Sequence, residues 1–251
     1  MSLQAINLTA GYRAKPIVAD VTLTARPGAV TTLVGANGSG KSTLLRTLTG
    51  AQQPLAGKAL INGCPIADLS AAARARLISV VFTDRSGGGG LTVYQLVAIG
   101  RHPFSGFLGH LNHNDRNAVA AALDAVGLTH KCNDFVASLS DGERQKAMIA
   151  RAIAQQAPVM VLDEPTSFLD VSARFEIMAL LRAIADSGTT VILSTHDIAP
   201  ALAVSDDIWA IVNRHLIAGT RDNIIADGTL NSVYHGATFD PTTLDFKPLQ
   251  P

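Results

Sequence analysis

The chain has 251 residues, 47% hydrophobic and 16% charged, with 20 basic side chains balanced by 20 acidic ones. That length allows one large α/β domain or two small ones, and the zero balance argues against a nucleic-acid partner held by general electrostatics. Cys64 and Cys132 lack metal-ligand spacing and give no disulfide framework, which suits a reducing cytoplasm; Met1-Ser2-Leu3-Gln4 has no secretion-signal character, and no apolar run is long enough to span a bilayer.

In chain order, residues 3–9 and 21–25 read as strands, separated by turn chemistry around Gly11 and Pro16. Pro27-Gly28 makes a further turn before an apolar strand over 31–34. There follows Gly35-Ala36-Asn37-Gly38-Ser39-Gly40-Lys41-Ser42-Thr43, which matches G-x-x-x-x-G-K-[ST] and opens a helix at Leu44. Strand, glycine loop and helix together form a phosphate cradle. Glycines let several N–H groups face one anion, and the helix N-terminus adds its positive dipole end. Lys41 supplies a positive charge for the β and γ phosphates, and Ser42 a hydroxyl for Mg²⁺.

Residues 58–61 form a short strand ending at the turn Asn62-Gly63, so the first third reads as a strand-rich sheet beside the first helix. Residues 78–82 are a β-branched run, followed by Thr83-Asp84-Arg85 and the glycine run 87–90. From Leu91 to about Ala137 the pattern is helical. Thr92 caps a helix running to Gly100; Asp115 caps another, with Val119, Leu123 and Val126 on its apolar stripe and Gly127 as its stop. We read residues of about 91–157 as a helical subdomain inserted in the α/β core of a single 1–251 domain. His110 and His113 read as loop residues ahead of that second cap.

Leu139-Ser140-Asp141-Gly142-Glu143 precedes a helix over 143–156. Ser140 with Glu143 is a capping box, and the N–H groups around Gly142 make a second anion site. Beyond it, strands (159–162, 191–194, 208–212) alternate with helices (172–187, 197–204), which implies a parallel sheet covered on both faces. The strand over 159–162 ends in Asp163 and Glu164, and that over 191–194 leads to Thr195-His196. Ligands bind at the carboxyl edge of such sheets. Asp163 suits Mg²⁺, Glu164 suits the attacking water, and His196 suits the γ phosphate or that water. The tail from Thr238, with Pro241, Pro248 and Pro251, reads as an edge strand or a loosely packed terminus.

The phosphate loop, the 139–143 motif, the acid-ended strand, Ser167-Phe168-Leu169-Asp170 and His196 occur in the order found in ABC-type ATPase domains. The chain resembles that family over about residues 3–230. The resemblance implies the P-loop ATPase fold, with an N-terminal antiparallel region and an inserted helical subdomain. It also implies that Tyr12 stacks on adenine, that 139–143 is the signature motif and that 167–170, with Asp170, is the D-loop. Two copies would face each other head to tail, each ATP lying between one phosphate loop and the other copy's Ser140 and Gly142. Two departures stand out. Thr83, followed by Asp84, takes the place of a glutamine that touches Mg²⁺ and water, and is too short to reach as glutamine does. The signature reads Ser-Asp-Gly-Glu where Ser-Gly-Gly-Gln is commonest; Asp141 and Glu143 disfavour phosphate unless Arg144 or Lys146 offsets them.

Residues 91–104 and 106–115 are similar to those of type II importer ATPases. By that resemblance the chain is the ATP-hydrolysing subunit of an importer of an iron-siderophore, haem or corrinoid. It would sit peripherally on the cytoplasmic face of the inner membrane. Its partners would be a separate permease and, indirectly, a periplasmic or lipoprotein substrate-binding protein. The rival readings are the ATPase of a separate-subunit exporter, a non-transport ABC-type ATP switch, and a small-molecule kinase, which would have no need of the 139–143 motif.

Overall fold

A computed structural model describes residues 1–82, 90–105, 110–167, 169–233 and 237–248. Two larger sheets with their covering helices carry the fold, beside a two-stranded hairpin near the C-terminus. The first is antiparallel, in the order β2-β1-β4-β5: β1 (Leu3–Tyr12), β2 (Lys15–Ala25), β4 (Ala56–Ile61) and β5 (Cys64–Pro65). The second holds six strands. Five are parallel: β3 (Val30–Gly35), β6 (Ile78–Val81), β7 (Val159–Asp163), β8 (Thr190–Ser194) and β9 (Asp207–Val212). The sixth, β10 (His215–Thr220), runs antiparallel at the edge of the order β10-β9-β3-β8-β7-β6.

The residues at the centre explain this layering. Every residue of β3, β7 and β8 is buried, as a parallel sheet covered on both faces requires. Alternate residues of β7 serve different cores. Val159 and Val161 pack with Leu44, Leu45 and Leu48 of α1 (Lys41–Leu48), which is held between the two sheets. Met160 and Leu162 pack on the opposite face against Ile177, Met178 and Leu181 of α6 (Val171–Asp186). Helix α2 (Ala71–Leu77) leads directly into β6.

A third core is wholly helical. Val93, Leu96 and Val97 of α3 (Val93–Ala98) meet Val119, Ala122 and Leu123 of α4 (His113–Ala125) and Ala147, Ala150 and Ala154 of α5 (Asp141–Ala154). Gly127 (φ 71°) ends α4 as read from the sequence. Its N–H bonds Asp124 O, and the Leu128 N–H bonds Leu123 O, the double bond of a Schellman stop. A fourth cluster joins α7 (Ile198–Val204), α8 (Arg221–Ala226), α9 (Thr229–Val233) and Phe239 to β9.

Several expectations change with the structure. The first hairpin turns at Arg13 and Ala14 (φ 47° and 62°), while Gly11 and Pro16 pair inside the strands. Gly11 is required there by close approach, because a Cβ would stand 2.2 Å from Lys15 O. Asn112, not Asp115, caps α4; Asp115 completes the capping box from its third position and is buried against Arg101 at 2.9 Å. His110 and His113 are exposed just ahead of and at the start of that helix. The main sheet continues past β9 into β10, whose half-exposed pattern gives little apolar signal. The tail forms its own hairpin, β11 (Ala237–Asp240) with β12 (Asp245–Pro248), closed by Phe239 stacking edge-on to Phe246 at 5.3 Å.

Candidate nucleotide site

Parallel register assembles the first half of the site. β7 and β8 align Asp163 with Ser194, and β3 and β8 align Leu33 with Ser194, so the loop after β3 and both acids share one sheet edge. Ser194 ties them: its hydroxyl donates to Asp163 Oδ1 at 2.6 Å and accepts from the Glu164 N–H at 3.0 Å. In the sequence Ser194 reads only as the end of a strand. The available signal was a hydroxyl closing an apolar strand beside an acid-ended one.

Helix α1 begins without a side-chain cap, because its N-cap is Gly40 at φ 105°. A Cβ there would lie 2.5 Å from Ile17 Cγ2. The first-turn N–H groups of α1 are thus left for an anion. The Ser39 hydroxyl is buried in the same loop and has no hydrogen-bond partner among the described residues. Lys41 is buried, and its ammonium donates to Gly35 O at 2.9 Å and Ala36 O at 3.4 Å. Burial pushes its pKa below the ordinary value, opposed by the negative charges of Glu164 and Asp163. Asn37 and Gly38 are exposed, Ser42 is half-buried, and Thr43 is buried on the first turn of α1. A cleft of about 400 Å³ beside the loop is lined by Lys15, Ile17, Ala36, Gly38, Ser39 and Arg214, among others. Tyr12 is 45% exposed at the neighbouring hairpin, in register with Lys15.

Glu164 follows β7 in a left-handed conformation, φ 50°, which costs a non-glycine residue about 1–3 kcal/mol. Such strain persists where the surroundings fix it. Here Ser167 Oγ donates to Glu164 Oε2 at 2.9 Å, and His196 Nδ1 lies 3.3 Å from the same oxygen. Hard oxygen donors, the Ser42 hydroxyl and the buried Asp163 carboxylate, fit Mg²⁺ completed by phosphate and water. The described residues hold no cluster of three His, Cys, Asp or Glu that would make an all-protein metal cage. Thr83, Asp84, Phe168, residues 87–89 of the glycine run and the whole 106–109 stretch lie outside the described residues.

The other anion site is separate. Ser140, Gly142 and Asp170 meet in a second cleft, of about 470 Å³, between the N-termini of α5 and α6. Ser140 caps α5 and Glu143 closes the capping box; Asp170 caps α6 through Ala173 N at 2.8 Å. The charge offset differs from expectation. Arg144 does pair with Asp141 at 3.1 Å, but Lys146 is taken by Glu176 at 2.6 Å. Glu143 is held by Lys131 instead, at 2.5 Å. That ammonium and the Ser140 N–H hold the Glu143 carboxyl down at about 2, well below the usual range.

These features have specific likenesses. The ABC transporter family matches residues 18–167. An uncharacterised ABC transporter ATP-binding protein of Methanocaldococcus jannaschii is 38% identical, over 92% of this chain and 81% of that protein. The iron(3+)-hydroxamate import ATP-binding protein of Bacillus subtilis is 34% identical, over 91% and 82%. A structure described as an inward-facing, metal-chelate type ABC transporter superposes with a TM-score of 0.83 at 27% identity, covering 99% of this chain and 98% of the other. A dimeric bacterial ABC transporter cassette superposes at 0.78 with 25% identity, covering 87% and 98%. This chain belongs to the ABC transporter ATP-binding family, whose members hydrolyse ATP to power transport.

Proposed function

We propose that this chain is the ATP-hydrolysing subunit of an importer that carries an iron-siderophore, haem or corrinoid through a separate membrane permease. The observation that carries the hydrolytic reading is the convergence of Lys41, Asp163, Glu164 and His196 on one sheet edge. The import reading rests on the likeness to the iron-hydroxamate protein and to the metal-chelate type transporter. Among the described residues no helix is long and apolar enough to cross a membrane, so the pathway belongs to the permease. The subunit acts from the cytoplasmic face, served indirectly by a substrate-binding protein.

ATP enters with its triphosphate on the amides of residues 38–43, and Tyr12 stacks on adenine. Lys41 exchanges Gly35 O and Ala36 O for phosphate oxygens. Ser42 and Asp163 would hold Mg²⁺, which when bound would neutralise charge on the phosphates. Glu164 accepts a proton from water as the water oxygen bonds the γ phosphorus. The bond from that phosphorus to the bridging oxygen breaks, and ADP leaves with the electron pair. Ser167 and His196 fix Glu164 Oε2, which leaves Oε1 to receive the water. Ser140 and Gly142 of a second copy, packed head to tail beside Asp170, donate to the same γ phosphate. The two clefts lie apart within one chain, which supports this division between copies.

Glu164→Gln tests the reading. It is expected to keep ATP binding, to accumulate an ATP-dependent dimer in light scattering, and to lower phosphate release by about 10²-fold or more. Turnover near the parent level would remove Glu164 from its role. Uptake of iron-hydroxamate by vesicles holding the permease and this subunit tests the cargo; transport of no iron chelate, haem or corrinoid would overturn it.

A further inference from the structure

The second cleft is a poor place for a phosphate on charge alone. Asp141, Glu143, Asp170 and Glu176 line it, against Lys146 as the single lining cation among the described residues, which Glu176 already occupies. It also has a proton problem. The Ser140 hydroxyl donates to Glu143 Oε2 at 3.0 Å and accepts from the Glu143 N–H at 3.3 Å. A hydroxyl has one proton, so a serine that donates to Glu143 does not donate to ATP. Turning it toward a phosphate takes one hydrogen bond from a carboxylate that must stay put.

Lys131 meets both difficulties. It reaches Glu143 from the turn Thr129–Lys131, outside α5, and binds Oε1, the oxygen that Ser140 does not use. The Ser140 N–H also stays on Oε2, at 3.0 Å, whichever way the hydroxyl points. The lysine is not a loose surface arm. Its turn is fastened to α3 by Tyr94 N to Cys132 O at 2.8 Å and Val93 N to Asp134 O at 2.9 Å, and both Lys131 and Glu143 side chains are only 29% exposed.

We propose that Lys131 is a positioning residue of the trans phosphate site: by pinning and neutralising Glu143, it releases the one Ser140 proton to the γ phosphate held by a second copy. Lys131 touches no nucleotide and acts only through Glu143. The proposal rests on the reading of Ser140 as the donor to a twin's ATP, and its experiment separates the two.

Phosphate release is measured against ATP concentration at fixed concentration of the full chain, beside the affinity of the monomer for fluorescent ADP. Lys131→Ala is expected to raise half-saturating ATP about 10-fold, equivalent to about 1.4 kcal/mol, with ADP affinity unchanged. Lys131→Arg is expected to behave as the parent. Lys131→Ala with Glu143→Gln is expected to return half-saturation to within about threefold of the parent, because the charge needing neutralisation has gone. Failure of that second change to rescue a folded double variant would overturn the proposal, as would an unshifted Lys131→Ala. Ser140→Ala supplies the separation. If it loses turnover while Lys131→Ala does not, the trans-donor reading stands and the Lys131 role falls. If Ser140→Ala is silent, the trans-donor reading falls first and the Lys131 proposal with it.

Discussion

The two clefts present phosphate chemistry in opposite ways. The cleft at the carboxyl edge of the main sheet is built from buried backbone in fixed register. Its lysine is buried, its helix is uncapped, and Ser194 locks its acids together. The cleft at the start of α5 is built on an exposed helix end whose cap is complete, with the donor hydroxyl already engaged. One half is organised before nucleotide arrives. The other must exchange an internal hydrogen bond for an external one, which makes it the natural point for a second copy to control the reaction.

The largest expected effect comes from attacking the organised half. Lys41→Ala removes the ammonium that donates to the loop carbonyls of Gly35 and Ala36 and takes from Asp163 and Glu164 a cation that opposes their charge. Nucleotide affinity of the monomer, followed by fluorescent ADP or ATP, is expected to fall about 10²-fold or more, since charge-assisted bonds to phosphate are among the strongest available. Ser140→Ala should leave that monomer affinity alone. If both substitutions weakened it equally, the division between the two clefts would be wrong.

Glycine-to-alanine changes sharpen the contrast. At Gly40 the backbone is left-handed and the new methyl meets Ile17 and Val18 at 2.5 and 2.8 Å, so Gly40→Ala is expected to lower both melting temperature and nucleotide affinity. At Gly142 the methyl meets, among the described residues, only Leu169 and Ala173 at 3.8 and 4.0 Å, ordinary contact distances, within the first turn of a helix. Gly142→Ala is therefore expected to raise stability by about 0.5–1 kcal/mol, while the methyl intrudes where the opposing phosphate arrives and turnover drops about 10-fold or more. One substitution type would then lower stability at one cleft and raise it at the other, with turnover lost at both. A stabilised Gly142→Ala with full turnover would show that no phosphate approaches that helix end.

The same difference governs what the sequence discloses. The organised half was legible because its signals are contiguous: an apolar run, a glycine loop, a lysine, or an apolar run ending in Asp163-Glu164. The hidden parts depend on residues brought together from afar or on conformations that residue type does not announce. Arg13 and Ala14 take positive φ and turn the hairpin, although Gly11 and Pro16 are the better turn formers. Asp115 has the chemistry of a cap but is drawn inward by Arg101, which leaves the cap to Asn112. Glu143 lies two residues from Asp141, Arg144's partner, in the first-turn cluster, yet its cation arrives from Lys131, across a turn and a different element. β10 carries a half-exposed pattern too weak to read as a strand beside the fully buried ones.

Asp141 carries the smallest effect and decides how well the unorganised half is neutralised. It occupies the first position of α5, 69% exposed, paired with Arg144 one turn on. An exposed pair of this kind contributes about 0–1 kcal/mol, and an acid at a helix start adds about 0.3–1 kcal/mol through the dipole. Asp141→Gly therefore costs the helix a little, and a melting temperature lower by a few degrees is the expected stability result, of the order of 2–4 °C per kcal/mol for a chain of this size. Its effect on ATP runs the other way. Arg144 also donates to Leu139 O at 3.2 Å, so the guanidinium stays beside the cleft when its acid is removed and becomes a net positive charge there. Half-saturating ATP is expected to fall about twofold, and to do so less at high salt, because the charges involved are exposed and screened. A rise in half-saturating ATP would mean that Asp141 itself contributes to binding, and the account of α5 as a helix end held ready by its paired charges would have to give way to one in which the acid has a direct role.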